Sequence, residues 1–249
     1  MYILFLLLSL NHAFITKIPK FNFKLYNNFI ILDDSYSLSQ ISNLHLDIIE
    51  KINLTEIDIN TPKIKSDIKN AQLEQYYFNN KNFNEVKITY FMSDDNQLFN
   101  SVWYPSYNYD VPILTIDILN NKTNLIFFIN LIENKKTLAY ENNYVSPFIK
   151  IKNLYSELNY NIIELQNNYF ISKAMIYVIL NTSEQNNNLC YDIIDKYIDI
   201  YLKLFNVSIT TKINQLNINH YFYKKIRSEF YINYMKKYFN LKLLKLFNL

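Results

Sequence analysis

Residues 111–119 read VPILTIDIL, and the segment is apolar on both alternating sets of positions. Successive side chains of a strand point to opposite faces, so Val111, Ile113, Thr115 and Asp117 face one way and Pro112, Leu114, Ile116 and Ile118 the other. Neither set suits water. Residues 72–78, 86–92, 98–104 and 125–132 are strand-like as well, and a sheet built from them must be covered on both sides. The tetrad SDDN at 93–96 is turn chemistry that joins the second and third of these runs in a hairpin. Ahead of the strands, Leu38, Ile41, Leu44, Ile48, Ile49 and Ile52 recur at helical spacing. Residues 169–180 form a further long apolar strand, and Cys190, Ile193, Ile194, Tyr197, Ile198, Tyr201, Leu202 and Phe205 mark an amphipathic helix. A last helical region is expected over 220–239. A helix, a run of neighbouring strands and then helices is an α+β order, and it predicts a three-layer α/β/α sandwich around a largely antiparallel central sheet.

The 249 residues include no glycine, and Arg227 is the only arginine. With Asn, Lys, Ile, Tyr and Phe overused, the composition has the mark of an AT-rich genome. Phosphate-cradling Gly loops are therefore excluded, and Asn is left to take the turn positions that need positive φ. A net charge of +3 does not suggest a nucleic-acid partner. Cys190 stands alone, so neither an intrachain disulfide nor a Cys-rich metal site can form, and on an apolar helical face it reads as a small buried hydrophobe. His12, His45 and His220 are too far apart for a local zinc motif, and no metal is expected.

The apolar run at 2–10 has the length of a signal core and is short for a membrane span. Ala13 offers a small-residue cleavage position, and Lys17, Lys20 and Lys24 follow with no acid until Asp33. The first 28 residues resemble the two-part leader of proteins sent to a plastid of secondary origin, with simple secretion as the other reading. Residues 29–249 show no linker, repeat or break in composition and read as one domain, and the chain's 50% of hydrophobic residues can fill a core.

Within that covered sheet Asp117 is the anomaly. A carboxylate stripped of water costs several kcal/mol unless it is hydrogen-bonded, or else it keeps a proton. Two readings stay open: Asp117 reaches water or a helix end near the strand terminus, or it is a proton donor in a pocket opening on the sheet.

Asn100-Ser-Val-Trp-Tyr-Pro105, then Tyr109-Asp110-Val111-Pro112-Ile113, then Asp117 is a register of polar and proline positions that resembles the signature of ferredoxin-dependent bilin reductases. A second segment, YFYKKIRSEFYINYMKKYFN at 221–240, resembles the family's C-terminal motif, with Glu229 as its acid and Phe239-Asn240 as its closing pair. Between them, 171–180 resembles the strand that carries a Ser near its start, here Ser172. The resemblance covers about residues 70–240.

It implies an enzyme that binds biliverdin or a related open-chain tetrapyrrole between the sheet and the C-terminal helices. Electrons would arrive singly from reduced ferredoxin, with no bound metal or flavin. Asp117 matches the central proton donor, Glu229 the second acid, and Asn100 the His/Asn position of the Asn-bearing branch, which includes phycoerythrobilin-type and phytochromobilin-type synthases. The Asn100 amide would hold a lactam or pyrrole nitrogen. A monomer without a membrane span is expected.

Several positions depart from the pattern. No acid is evident on the preceding strand, where Lys87, Ile88 and Thr89 stand, and the propionate-gripping Arg falls at about Ile179. Thr115 replaces a Gly, and Glu229 is one methylene longer than the usual Asp. Lysines would then have to hold the propionates, as point charges. Lys224, Lys225, Arg227, Lys236, Lys237, Lys242 and Lys245 suggest either a docking face for an acidic ferredoxin or a solvated helix face. Two other functions stay open: a degenerate tetrapyrrole-binding protein of the same fold, and a secreted protein acting by protein contacts.

Overall fold

The computed structural model describes residues 48–50, 52–57, 64–121, 123–158, 171–206, 235–239 and 244. The leader assigned to 1–28, most of the helices expected around Leu38–Ile52 and 220–239, and Glu229 lie outside the described residues.

Among the described residues eight strands form one sheet: β1 (Thr55–Glu56), β2 (Ile64–Ser66), β3 (Ala71–Asn79), β4 (Phe83–Met92), β5 (Gln97–Pro105), β6 (Ile113–Asn120), β7 (Asn124–Ile132) and β8 (Ile176–Asn181). Their order is β1-β3-β4-β5-β6-β7-β8, with β2 also paired to β3, and every pairing is antiparallel. From β3 to β7 sequential strands are spatial neighbours because each connection is short enough to turn back at once, whereas β8 returns to the sheet after the helical segment that follows β7. The expected SDDN turn closes β4 onto β5: Ser93 N–H donates to Asn96 O at 2.8 Å, and Asn96 N–H donates to Ser93 Oγ at 3.2 Å. Positive φ falls on Asn53 and Asn70, as the lack of glycine demands, but also on Lys69.

Helical structure follows the central strands. It comprises α1 (Leu138–Tyr140), a π-helical turn (Glu141–Val145), α2 (Ser146–Leu154) and the long α3 (Glu184–Leu204). The N-terminus of α3 is capped by Ser183, whose side chain accepts from Asn186 N–H at 3.2 Å. From there Cys190, Ile193, Ile194, Tyr197, Ile198 and Tyr201 are buried at helical spacing against one face of the sheet, on Phe99, Trp103, Leu114, Ile116, Phe127 and Ile129. Burying each large apolar side chain contributes about 1.5–3 kcal/mol, enough in sum to hold the helix flat on the strands. Two tyrosines add fixed points. Tyr201 Oη donates to Pro112 O at 2.7 Å, and Tyr197 Oη donates to Ala174 O at 2.6 Å.

The opposite face carries a second cluster around Leu73, Phe91, Leu98, Leu119, Ile126 and Phe128, against which Met235, Tyr238, Phe239 and Leu244 pack. Phe91 and Tyr238 rings lie 4.8 Å apart, and Asn96 Nδ2 donates to Tyr238 Oη at 3.2 Å. The C-terminal residues therefore cover the side away from α2 and α3, and the α+β expectation of an antiparallel sheet with both faces covered holds.

Two local expectations are corrected. The strand expected over 169–180 begins only at Ile176, because Ser172 starts a turn. Its Oγ accepts from Ala174 N–H at 3.1 Å, and its carbonyl accepts from Met175 N–H at 3.1 Å. The alternation expected from Val111 also breaks at Pro112: β6 starts at Ile113, and Val111 packs in the α3-side cluster rather than beside Ile113.

Candidate active site

β5 and β6 place Asn100 directly opposite Asp117. The row extends across six strands, from Gln75 on β3 through Thr89, Asn100, Asp117 and Phe128 to Tyr177 on β8, each residue paired in register with the next. Period-two alternation puts all six on the face away from α3. On one side of the row lies the apolar cluster under Tyr238 and Phe239; on the other lies a small cluster of Val102, Tyr104, Ile113 and Ile132. A largely polar row thus crosses the sheet face between two apolar clusters.

Its members are deeply buried. Asn100 and Thr89 are each 1 % exposed, while Asp117 is half-buried. Such groups are costly without partners, so where their hydrogen bonds go is informative. Asn100 Nδ2 donates to Asp117 Oδ1 at 2.7 Å and to Ile116 O at 3.3 Å. Both of those neighbours are acceptors, so the amide must turn its NH2 toward them, and its Oδ1 accepts nothing among the described residues. Next along the row, Tyr77 Oη donates to Gln75 Oε1 at 3.1 Å, and Gln75 Nε2 donates to Thr89 Oγ1 at 3.1 Å.

Two more hydroxyls on this face, Thr115 Oγ1 and Tyr177 Oη, are buried and have no hydrogen-bond partner among the described residues. Burial pushes the Tyr177 hydroxyl up to about 12, so it stays a neutral O–H donor. Four hydrogen-bonding functions on the Asp117 face therefore have no partner among the described residues: Asn100 Oδ1, the Thr89 O–H, Thr115 Oγ1 and Tyr177 Oη. Lys87 stands one row away, half-buried, with its ammonium 5.7 Å from the centre of the Tyr77 ring.

The sequence-derived positions can now be sorted. Asn100 and Asp117 come together as a hydrogen-bonded pair, and Asp117 is not a strand-end residue but sits inside β6 with its carboxylate tied to the neighbouring strand. Glu229 lies outside the described residues. Ile179, at the position of the missing Arg, does face the same side as Asp117, but it packs with the apolar cluster. Ser172 accepts locally and also donates its N–H to Asn130 Oδ1 at 3.1 Å, which makes it a structural residue of the β7–β8 edge. Asp110 is bound to Lys135 at 2.5 Å, in keeping with a structural turn. Glu74, a buried carboxylate one residue from Gln75, points to the opposite face, where Gln72 Nε2 and Tyr76 Oη donate to it at 2.5 and 2.7 Å. Among the described residues no group of His, Cys, Asp and Glu could hold a metal ion, and no helix is long and apolar enough to cross a membrane.

Gln75 and Tyr177 are not singled out by the sequence, and Thr89 enters there only among the residues that stand where an acid is missing. One signal was present: a tight turn at 93–96 pairs Met92 with Gln97, and counting back three from each side pairs Thr89 with Asn100.

The family model for ferredoxin-dependent bilin reductases matches residues 44–235. The chain belongs to that family. Among curated bilin reductases, the 15,16-dihydrobiliverdin:ferredoxin oxidoreductase of Nostoc punctiforme is 26% identical over 140 residues, which is 54% of this chain and 56% of that protein. The match thus spans about half the length of that bilin reductase. Among solved structures, the phytochromobilin synthase of tomato in complex with biliverdin superposes with a TM-score of 0.66 at 17% identity, over 76% of this chain and 73% of that one, a likeness of fold.

Proposed function

We propose that the protein reduces biliverdin or a related open-chain tetrapyrrole, taking electrons one at a time from reduced ferredoxin, with Asp117 as the central proton donor. The observation that carries this reading is the Asn100–Asp117 pair, a buried amide bonded to a half-buried carboxylate on one sheet face, inside the segment that matches the bilin reductase family. Each two-electron reduction consumes two electrons and two protons. An electron added to the conjugated guest raises its basicity, and a carboxylic acid in contact with it then delivers a proton.

The geometry suits that role. A protonated Asp117 can accept from Asn100 Nδ2 at Oδ1 and carry its proton on Oδ2. Once the proton has left, the same Asn100 hydrogen bond stabilises the carboxylate. Asn100 is thus a positioning residue that favours the product side of the transfer. Glu229 supplies the second proton in this reading, and Lys87, on the same face, meets a propionate as a point charge.

Ile179 favours a second reading, in which the guest is bound but not reduced, because an apolar side chain stands where the family's propionate-gripping Arg would be. Incubating the protein with biliverdin, ferredoxin and a ferredoxin reductase separates the two. Progressive loss of the biliverdin spectrum with turnover supports the reductase; a shifted but persistent spectrum supports the binder. No bilin binding removes both.

A further inference from the structure

Beside Asn100 stands a second buried group whose hydrogen-bonding capacity is only half used. Thr89 is paired with Asn100 across the β4–β5 ladder, and in such a pair the side chains of one face stand next to each other. Its Oγ1 accepts from Gln75 Nε2, and Gln75 is in turn held through Oε1 by the Tyr77 hydroxyl. Gln75 and Thr89 are 5 % and 1 % exposed. With a donor already seated on its oxygen, Thr89 keeps its own proton to give, and no acceptor among the described residues takes it. Asn100 presents the complementary function. Its two amide hydrogens go to Ile116 O and Asp117 Oδ1, so Oδ1 is left as an acceptor.

One donor and one acceptor, side by side on one sheet face and both shielded from water, match a ligand edge that offers one acceptor and one donor in the same way. A five-membered lactam has that edge, because the ring holds its C=O and N–H on the same side. Building on the reading of the site as a bilin pocket in which Asn100 holds a lactam nitrogen, we propose that Thr89 supplies the second point of a cradle for a terminal lactam of the tetrapyrrole. Thr89 donates to the lactam carbonyl, and Asn100 Oδ1 accepts the lactam N–H. Gln75 and Tyr77 are the positioning residues that aim the Thr89 hydroxyl. The cradle seats the terminal ring next to Asp117, so Thr89 selects which end of the guest lies within reach of the acid. A neutral Thr at this place also keeps a second carboxyl away from Asp117, which would otherwise compete with it for the proton.

The test compares biliverdin with its bis-lactim ether, in which both terminal carbonyl oxygens are methylated and both lactam N–H groups are lost. A site built to hydrogen-bond a ligand group discriminates strongly against the analogue lacking it. The wild-type protein should bind biliverdin at least about tenfold more tightly than the ether, measured by absorbance titration. In Thr89→Val, which keeps the shape and loses the hydroxyl, that preference should fall about tenfold, whereas Thr89→Ser should keep it and Gln75→Leu should lie between. Equal wild-type affinity for the two ligands overturns the cradle without recourse to any variant. An undiminished preference in a folded Thr89→Val protein overturns the role of Thr89. A wild-type protein that binds neither ligand overturns the bilin reading itself, and is thereby told apart from failure of the cradle alone.

Discussion

Asp117 shows how much one side chain's meaning depends on its neighbour. A lone carboxylate on an apolar strand is a costly defect; opposite Asn100 it has a hydrogen-bond donor on the neighbouring strand, and in the proposed reaction it is the proton donor. Asp117→Asn is nearly isosteric and cannot release a proton. We expect it to cut bilin reduction by a factor on the order of 100 or more, while biliverdin affinity stays within roughly threefold, below about 1 kcal/mol. Single-turnover reduction and absorbance titration read the two quantities separately; a variant that still reduces at the wild-type rate excludes Asp117 as donor. Cys190 is the contrasting case, a buried group with no chemistry to perform. Burial pushes its thiol from 9.0 up to about 12. A folded-state value above the unfolded one means that this contribution is complete below about pH 9 and is lost as pH rises toward 12. Between pH 8 and 10.5 urea unfolding should therefore show a loss of about 2 kcal/mol from this residue, absent in Cys190→Ala.

At the scale of elements, the register of the central strands does the decisive work. The β4–β5 turn at Ser93–Asn96 sets Thr89 against Asn100, and the β5–β6 pairing sets Asn100 against Asp117. A slip of one residue on either side would send those groups to the α3 face. That face is where α3 locks the sheet, and its Ser183 cap is the cheapest place to weaken it. Ser183→Ala leaves the Asn186 N–H at the helix start without its partner. It should lower unfolding stability by about 1 kcal/mol without changing biliverdin affinity, as read by urea denaturation and titration. A loss of affinity instead would mean that α3 reports to the opposite face through the sheet. The helix was legible in its 3.6-residue apolar spacing, though its first turn, 184–189, was not. That stretch reads EQNNNL, polar but for Leu189, and it is helical because the Ser183 cap satisfies an end N–H, not because it buries an apolar stripe.

For the molecule as a whole, the two faces divide the labour. One is packed against α2 and α3 and supplies stability; the other carries the polar band and is partly covered by Met235, Tyr238, Phe239 and Leu244. A guest that binds only the folded band should stabilise the whole domain by mass action, by about 2.7 kcal/mol at a hundredfold excess over Kd, or an upward Tm shift of roughly 5–11 °C for a chain of this size. Thermal denaturation with and without biliverdin checks this, and an unshifted Tm at saturating bilin would count against a pocket built into the fold. The alternating patterns of the strands by themselves determined a sheet covered on both sides, because each strand's two faces are written in its own residues. The Asn100-to-Asp117 spacing likewise carried the family resemblance. What those patterns could not hold was which polar residues meet: Gln75, Thr89 and Tyr177 come from strands as much as a hundred residues apart and are joined only by cross-strand register. Nor could they say that Ser172 would end in a turn, since that hydrogen bond forms only where β8 docks on Asn130. Side-chain alternation is local and can be read along the chain; partnership across a sheet is a distance in space, and the tertiary structure alone decides it.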